Sequence, residues 1–301
     1  MGLLEGKAVI VTGSGRGIGA EIAKLAAAQG AAVLVTDVDP APAEQVAADI
    51  RAAGGKARAH AADISSWGAA LSVTECCMDS YGRLDGLVNN AGLFRMGRVE
   101  EMTEADARLL MDVNVLGTAF CAHHAVKRML AQGSGAILNV TSGAHMGIPM
   151  MGLYGATKGA VASFTYTWAA ELKAQGIRVN ALSPMGRTRM REVTTRYLSE
   201  HGLPTMGNEI SASVNAPVAV YLLSDAAREV TGQIVRIEGR QLSLVCHPGV
   251  LLPVLERERW SIDDVIEAFR EQLGARQLPT GVVGLELKSA RAGSAFWEKQ
   301  K

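Results

Sequence analysis

Neither sign of charge prevails in this chain: Lys+Arg and Asp+Glu stand at 30 each in 301 residues. Such a balance offers no basic field to nucleic acid or to an anionic membrane surface. No apolar run of about 18 residues passes without a charge, so the sequence offers no candidate membrane span. The stretch Met1 to Lys7 lacks the order of a secretory leader. Cysteine is scarce as well. Cys76, Cys77, Cys121 and Cys246 fit no zinc spacing, and a vicinal pair is a poor disulfide framework. The expectation is a soluble, cytoplasmic protein with no metal, no nucleic acid and no membrane as partner. What is present is ordinary globular material, 48% hydrophobic and 20% charged, enough for one large domain with an appendage.

The order lies in an alternation. Lys7 to Thr12 is a short apolar run ending in Gly13-Ser14-Gly15-Arg16-Gly17-Ile18-Gly19. An Ala-rich helical pattern follows to Gly30, and then a second apolar run, Ala32 to Asp37. Strand, glycine turn, helix and strand make a βαβ unit of the length a parallel crossover needs. Glycines suit a tight turn and a close phosphate, and the helix start behind them is an anion site. Asp37 closes the second strand twenty residues beyond Gly17, placed to accept ribose hydroxyls and to repel a 2′-phosphate. That favours NAD over NADP. Arg16 argues the other way, and a turn or capping role also fits Asp37.

Further helical patterns cover 42–53, 66–81, 103–112, a stretch from near Asn114 to 132, and 154–176. Strands are expected over 56–61, 84–89, 136–140, 177–182 and 233–238. This is an α/β chain with a single doubly wound parallel sheet, Rossmann-like, over residues 1–240. Its ligand site belongs at the strand carboxyl ends. Gly13, Asp37, Asp63, Asn89, Ser142 and Pro184 all fall there or just beyond. Tyr154 and Lys158 open the last long helical segment four residues apart, so phenol and ammonium share a face. A tyrosine titrates near ~10. A cation about 4 Å away favours the phenolate by roughly 4 kcal/mol at an effective dielectric of ~20. By itself the spacing fits a solvated helix face equally well.

These residues resemble the short-chain dehydrogenase/reductase family over roughly Leu3 to Glu238. Thr12-Gly13-x-x-x-Gly17-Ile18-Gly19 is similar to its cofactor loop, and Asn89-Asn90-Ala91-Gly92 to its strand-four motif. The resemblance implies a nicotinamide nucleotide on Gly13, Arg16, Gly17, Ile18, Gly19, Asp37, Asp63, Ile64, Asn90, Ala91, Gly92, Tyr154, Lys158, Pro184 and Thr188. Asp63 would meet the adenine and Thr188 the carboxamide. It also implies a catalytic tetrad of Asn114, Ser142, Tyr154 and Lys158. Tyr154 would exchange the substrate hydroxyl proton, and Ser142 would hydrogen-bond the substrate oxygen. Lys158 would lower the Tyr154 pKa and bind the nicotinamide ribose, while Asn114 would hold a water linking Lys158 to solvent. Thr141 competes with Ser142, because the interval of twelve residues to Tyr154 is one shorter than the family's commonest.

Residues 185–214 read as a lid over the substrate. The segment from Ser183 to Met190, and Asn215-Ala216-Pro217, look like the (3R)-hydroxyacyl-CoA dehydrogenase part of peroxisomal multifunctional enzymes. Met146, Met151, Met185 and Met190 join Ser142 and Tyr154 as substrate-binding candidates, since Met is adaptable apolar filler. Ordinary loop packing accounts for them as well. Residues 241–301 form a C-terminal extension with an amphipathic helix at about 261–273, capped by Ser261 and Asp264. It packs on its own domain or on a neighbouring subunit; the latter suits the family's dimers and tetramers. The expected activity is NAD-dependent interconversion of a secondary alcohol and a ketone, chiefly in the oxidising direction. The expected substrate is hydrophobic: a hydroxysteroid, a terpenoid alcohol or a 3-hydroxyacyl thioester. Alternatives are an NADPH-dependent 3-ketoacyl reductase and a non-catalytic NAD-binding regulatory protein.

Overall fold

A computed structural model describes residues 2–186, 190–204, 210–251 and 253–284. The chain divides into two compact units, Met1–Val245 and Cys246–Lys301. The first carries an eight-stranded sheet. Its strands are β1 (Ala8–Thr12), β2 (Ala32–Asp37), β3 (Lys56–Ala61), β4 (Gly86–Asn89), β5 (Gly135–Val140), β6 (Ile177–Ser183), β7 (Ile234–Glu238) and β8 (Gln241–Val245). They lie in the order β3-β2-β1-β4-β5-β6-β7-β8. The first seven are parallel; β8 turns back antiparallel on β7. Sequence reasoning ended the sheet at β7. The first unit closes after β8, and residue 240 lies in the turn between these two strands.

Every residue of β1 is buried, which is why it reads as an unbroken apolar run. Val9 and Val11 face one core, with α1 (Gly17–Ala28), α2 (Pro40–Ala52) and α8 (Ala216–Leu223). Ala8 and Ile10 face the other, with α3 (Trp67–Tyr81), α5 (Gly117–Gln132) and α6 (Gly152–Leu172). The alternation is the two-residue period of a strand with both faces covered. Strand order reverses between β1 and β4, and the crevice beyond their carboxyl ends is where such sheets bind ligands.

One local expectation is corrected. The helices expected on either side of Asn114 form one helical run, Glu104–Gln132, through α4 (Glu104–Leu110), a π-helical stretch (Met111–Leu116) and α5. Thr103 caps its start, accepting from Asp106 N–H at 3.1 Å. By length and composition alone this run could cross a membrane, but half of its most apolar window is buried inside the protein. Its buried half, with Cys121, Ala122, Ala125 and Met129, packs into the core, which explains part of the apolarity.

The second unit contains α9 (Ile262–Ala268), followed by a π-helical turn (Phe269–Leu273) and a 3-10 turn (Gly274–Arg276). Its start has the expected capping box: Asp264 N–H donates to Ser261 Oγ (3.1 Å), and Ser261 N–H to Asp264 Oδ2 (2.9 Å). Ile262, Val265, Ile266 and Phe269 stay exposed along it.

Candidate active site

The site starts from the glycine turn. Gly13 (φ 60°) and Gly17 (φ 58°) sit in the left-handed region, which a side chain disfavours. A Cβ on Gly13 would come 2.7 Å from Ala91 Cα, and one on Gly19 2.4 Å from Asn90 Nδ2. The turn therefore lies directly on the segment after β4, and polar groups stitch the two together. The Thr12 hydroxyl accepts from the N–H groups of Asn90 and Ala91 (3.0 Å each). Asn90 Nδ2 donates to the carbonyls of Thr12 and Gly13 (2.9 Å each). Ile18 packs its side chain against the core.

At the end of β2, Asp37 Oδ2 accepts from Gly15 N–H at 3.0 Å and Oδ1 from Asp39 N–H at 3.2 Å. Its carboxylate stands beside the turn with acceptor capacity to spare. Arg16 pairs with Asp39 at 2.8 Å. After β3, the exposed Asp63 accepts from the Ser65 N–H and hydroxyl (3.0 and 2.7 Å), while Ile64 is buried against Gly117.

Asn114, Tyr154 and Lys158 are all buried, around the segment that contains Gly92. A Cβ on Gly92 would lie 3.2 Å from Asn114 Oδ1 and 3.4 Å from Lys158 Nζ. The Asn114 side chain is fully engaged: Oδ1 accepts from Leu93 N–H (2.7 Å), and Nδ2 donates to Leu93 carbonyl (2.9 Å) and Thr157 Oγ1 (3.0 Å). The π-helical stretch places Asn114 here, as such stretches often do at functional sites. Lys158 Nζ donates to the Val140 carbonyl at 2.8 Å and lies 5.8 Å from the Tyr154 ring centre. Ser142, beyond β5, lies beside the Tyr154 phenol, and its hydroxyl accepts from Ala144 N–H at 3.2 Å. Thr141 turns away, donating to the Lys158 carbonyl at 3.0 Å. Between these two neighbours the structure thus presents Ser142 to the tyrosine.

The electrostatics reverse one expectation. Burial pushes the Tyr154 phenol up to about 12, against a downward pull from the Ser142 hydroxyl. Burial also pushes the Lys158 ammonium down to about 8. The lysine does not depress the phenol as sequence spacing suggested. Both groups lose hydration at once, and the ammonium is directed at a carbonyl.

An apolar wall surrounds Tyr154: Phe94, whose ring meets the phenol edge-on at 4.9 Å, Leu110, Ala144, Met151, Met190 and Val193. Met151 and Met190 thus lie with the tyrosine. Met146 does not; it packs with Ala162, Ala181, Ile234 and Val245. Met185 follows Pro184 beyond β6, and its carbonyl accepts from Asn215 Nδ2 at 3.1 Å. Thr188 lies outside the described residues. The short loop before Tyr154 is pinned by Gly97 N–H donating to the Met150 carbonyl (2.8 Å), with Met150 at φ 63°. Sequence reasoning missed Phe94 and Thr157. Thr157 had a signal, a hydroxyl on the buried side of the Tyr-x-x-x-Lys turn; Phe94 had none. A separate groove of about 880 Å³ opens at the amino ends of β1, β2 and β3, and none of these residues borders it.

A doubly wound sheet with a glycine cradle at its switch point, and a buried Tyr154 and Lys158 beside the half-buried Ser142, defines a nucleotide-dependent oxidoreductase. The short chain dehydrogenase pattern matches residues 7–197, and the chain belongs to that family. It is 39% identical to an uncharacterized oxidoreductase of Methylorubrum extorquens over 79% of this chain and 99% of that one. It is 37% identical to 2,5-dichloro-2,5-cyclohexadiene-1,4-diol dehydrogenase of Sphingobium indicum (78% and 97%). It is 33% identical to a 3-oxoacyl-(acyl-carrier-protein) reductase of Thermotoga maritima (78% and 98%). Among solved structures, a short chain dehydrogenase from Mycobacterium avium superposes with a TM-score of 0.81 at 30% identity, covering 94% of this chain and 100% of that one. NAD+-bound xylitol dehydrogenase gives 0.72 at 29% (78% and 99%). Gluconate 5-dehydrogenase from Burkholderia cenocepacia, with NADP and tartrate, gives 0.71 at 29% (78% and 95%).

Proposed function

We propose that this protein oxidises a hydrophobic secondary alcohol to a ketone with NAD. The observation that carries the reading is the buried Tyr154, set beside Ser142 and walled by Phe94, Met151 and Met190. The glycine turn fits a nucleotide: a Cβ at Gly13 or Gly19 would strike backbone or the Asn90 amide, so the cradle is shaped for close approach. Gly13, Arg16, Gly17, Ile18 and Gly19 would hold the pyrophosphate end. Asp37 would take the adenosine ribose, and Asp63 and Ile64 the adenine. Asn90, Ala91 and Gly92 would line the path to the nicotinamide end, with Lys158, Pro184 and Thr188. When bound, the nicotinamide ring supplies the hydride acceptor or donor.

The residues of the chain handle the proton. Tyr154 Oη takes the proton of the substrate hydroxyl, or returns it in reduction. Ser142 Oγ donates to the substrate oxygen and stabilises its developing charge. Lys158 would hold the nicotinamide ribose, with its ammonium 5.8 Å from the Tyr154 ring centre. Asn114 keeps the Leu93 loop and Thr157 in register. Its side chain is engaged on three sides, and its main-chain carbonyl accepts from Thr118 Oγ1 at 2.8 Å. The 33% identity to a 3-oxoacyl-(acyl-carrier-protein) reductase supports a second reading, an NADPH-dependent 3-ketoacyl reductase, in which Tyr154 donates. No observation favours a regulatory protein without chemistry.

The wall around Tyr154 suits a hydroxysteroid, a terpenoid alcohol or a 3-hydroxyacyl thioester, and the four free thiols suit a cytoplasmic setting. Exposed Leu109, Met111, Leu116 and Leu130 on the Glu104–Gln132 run suit a homo-oligomer. The test is a panel of these alcohols and their ketones with NAD and NADP, read by nucleotide absorbance. Tyr154→Phe should abolish turnover while nucleotide binding persists. Turnover retained by that variant removes the tyrosine from the mechanism; no turnover of any substrate, with nucleotide bound, returns the regulatory reading.

A further inference from the structure

At the nucleotide end of the site, Arg16 invites a 2′-phosphate and Asp37 repels one. The structure adds a third side chain. Asp39 is the N-cap of α2, a position where an aspartate ordinarily accepts from the N–H groups of the first helical turn. Its side chain makes no such bond. The carboxylate accepts instead from Arg16 Nη2 at 2.8 Å, a link between the glycine turn and the loop after β2. The Asp39 N–H meanwhile donates to Asp37 Oδ1 at 3.2 Å, so the two acids sit side by side. Both members of the Arg16–Asp39 pair remain about two-fifths exposed, so the pair contributes little to stability. α2 opens Pro40-Ala41-Pro42, so the third-position N–H that a capping carboxylate often takes is missing, and the Asp39 carboxylate is committed to Arg16.

We infer that Asp39 is a specificity residue. By holding the Arg16 guanidinium it removes the cation that would bind a 2′-phosphate. The discrimination comes from an occupied arginine as much as from the acid at the strand end. Arg is the side chain best shaped to grip phosphate bidentately, so its commitment to Asp39 matters. This inference rests on the NAD reading above.

The test is calorimetric binding of NAD and NADP to the intact protein, which needs no substrate. Asp39→Asn keeps the size of the side chain and its capability to cap. The ratio of dissociation constants, NADP over NAD, should fall about tenfold at low ionic strength, as expected for one charge removed and one cation released. The effect should shrink as salt rises. Adding Arg16→Ala to Asp39→Asn should abolish most of the gain. An unchanged ratio overturns the inference, and so does a gain that survives Arg16→Ala, because then Arg16 takes no part. Tighter binding of NADP than NAD by the native protein overturns the NAD reading itself, whatever Asp39→Asn does.

Discussion

Lys158 offers the most direct test of the site's electrostatics. Its ammonium is buried, donates to the Val140 carbonyl, and is pushed from the usual 10.5 down to about 8 by burial. A shift of that size corresponds to about 3 kcal/mol between the two protonation states. Between pH 8 and 10.5 the unfolded chain holds a proton that the folded protein has released, so stability rises with pH across that window. As pH falls through 8 that stability is lost, and below it both states are protonated and the slope vanishes. Tyr154 acts in the opposite sense: raised to about 12, it makes stability fall as pH climbs from 10 to 12. Comparison with Lys158→Met separates the two, because the variant keeps Tyr154 and every other titrating group. The variant should lose about 1–3 kcal/mol for the unpaired Val140 carbonyl, at all pH values. It is also spared the cost of the buried charge, but only at low pH. Native and variant stability should therefore be comparable near pH 7, with the native protein gaining about 3 kcal/mol on the variant by pH 10.5. Urea unfolding at fixed protein concentration, from pH 7 to 10.5, measures the difference. A flat difference would refute the reasoning: Lys158 would then titrate in the folded protein as in water, and burial would not set its charge.

Two other perturbations follow from the geometry. Gly19→Ala puts a Cβ 2.4 Å from Asn90 Nδ2 and 2.5 Å from the Gly13 carbonyl, so the turn must open. Stability should drop by about 1–3 kcal/mol for overpacking, with nucleotide affinity falling alongside in a fluorescence titration; unaltered affinity would show that the turn does not hold the nucleotide. Thr157→Val removes the hydroxyl that receives Asn114 Nδ2 and donates to the Tyr154 carbonyl at 2.8 Å. It should cost about 1–3 kcal/mol in thermal or urea unfolding and lower kcat more than it raises KM. An unchanged kcat would make Asn114 and Thr157 purely structural.

Periodicity carried the fold because its causes are local. Strands buried on both faces must be apolar throughout, as β1 is, and glycines at a strand-to-helix turn have few other uses. The edge strand β8 escaped notice although Leu242, Leu244 and Val245 are apolar, because it returns antiparallel straight after β7 and stands outside the strand-helix alternation that marks the other strands. The π-helical stretch around Asn114 escaped too. Its extra residue per turn is a matter of hydrogen bonding, and the side-chain pattern did not distinguish one run from two.

For the site, the family resemblance in the sequence named Asn114, Ser142, Tyr154 and Lys158 as candidates, and the strand pattern put the strand carboxyl ends around them, because motifs and strand ends are local properties. Only the tertiary structure decided their charges and partners. Tyr154 and Lys158 are desolvated by elements distant in sequence, so the phenol rises where the spacing suggested it should fall. Likewise, Arg16 and Asp39 are brought together only when β2 pairs with β1. A pKa depends on everything within a few ångströms, and most of that neighbourhood lies elsewhere in the chain.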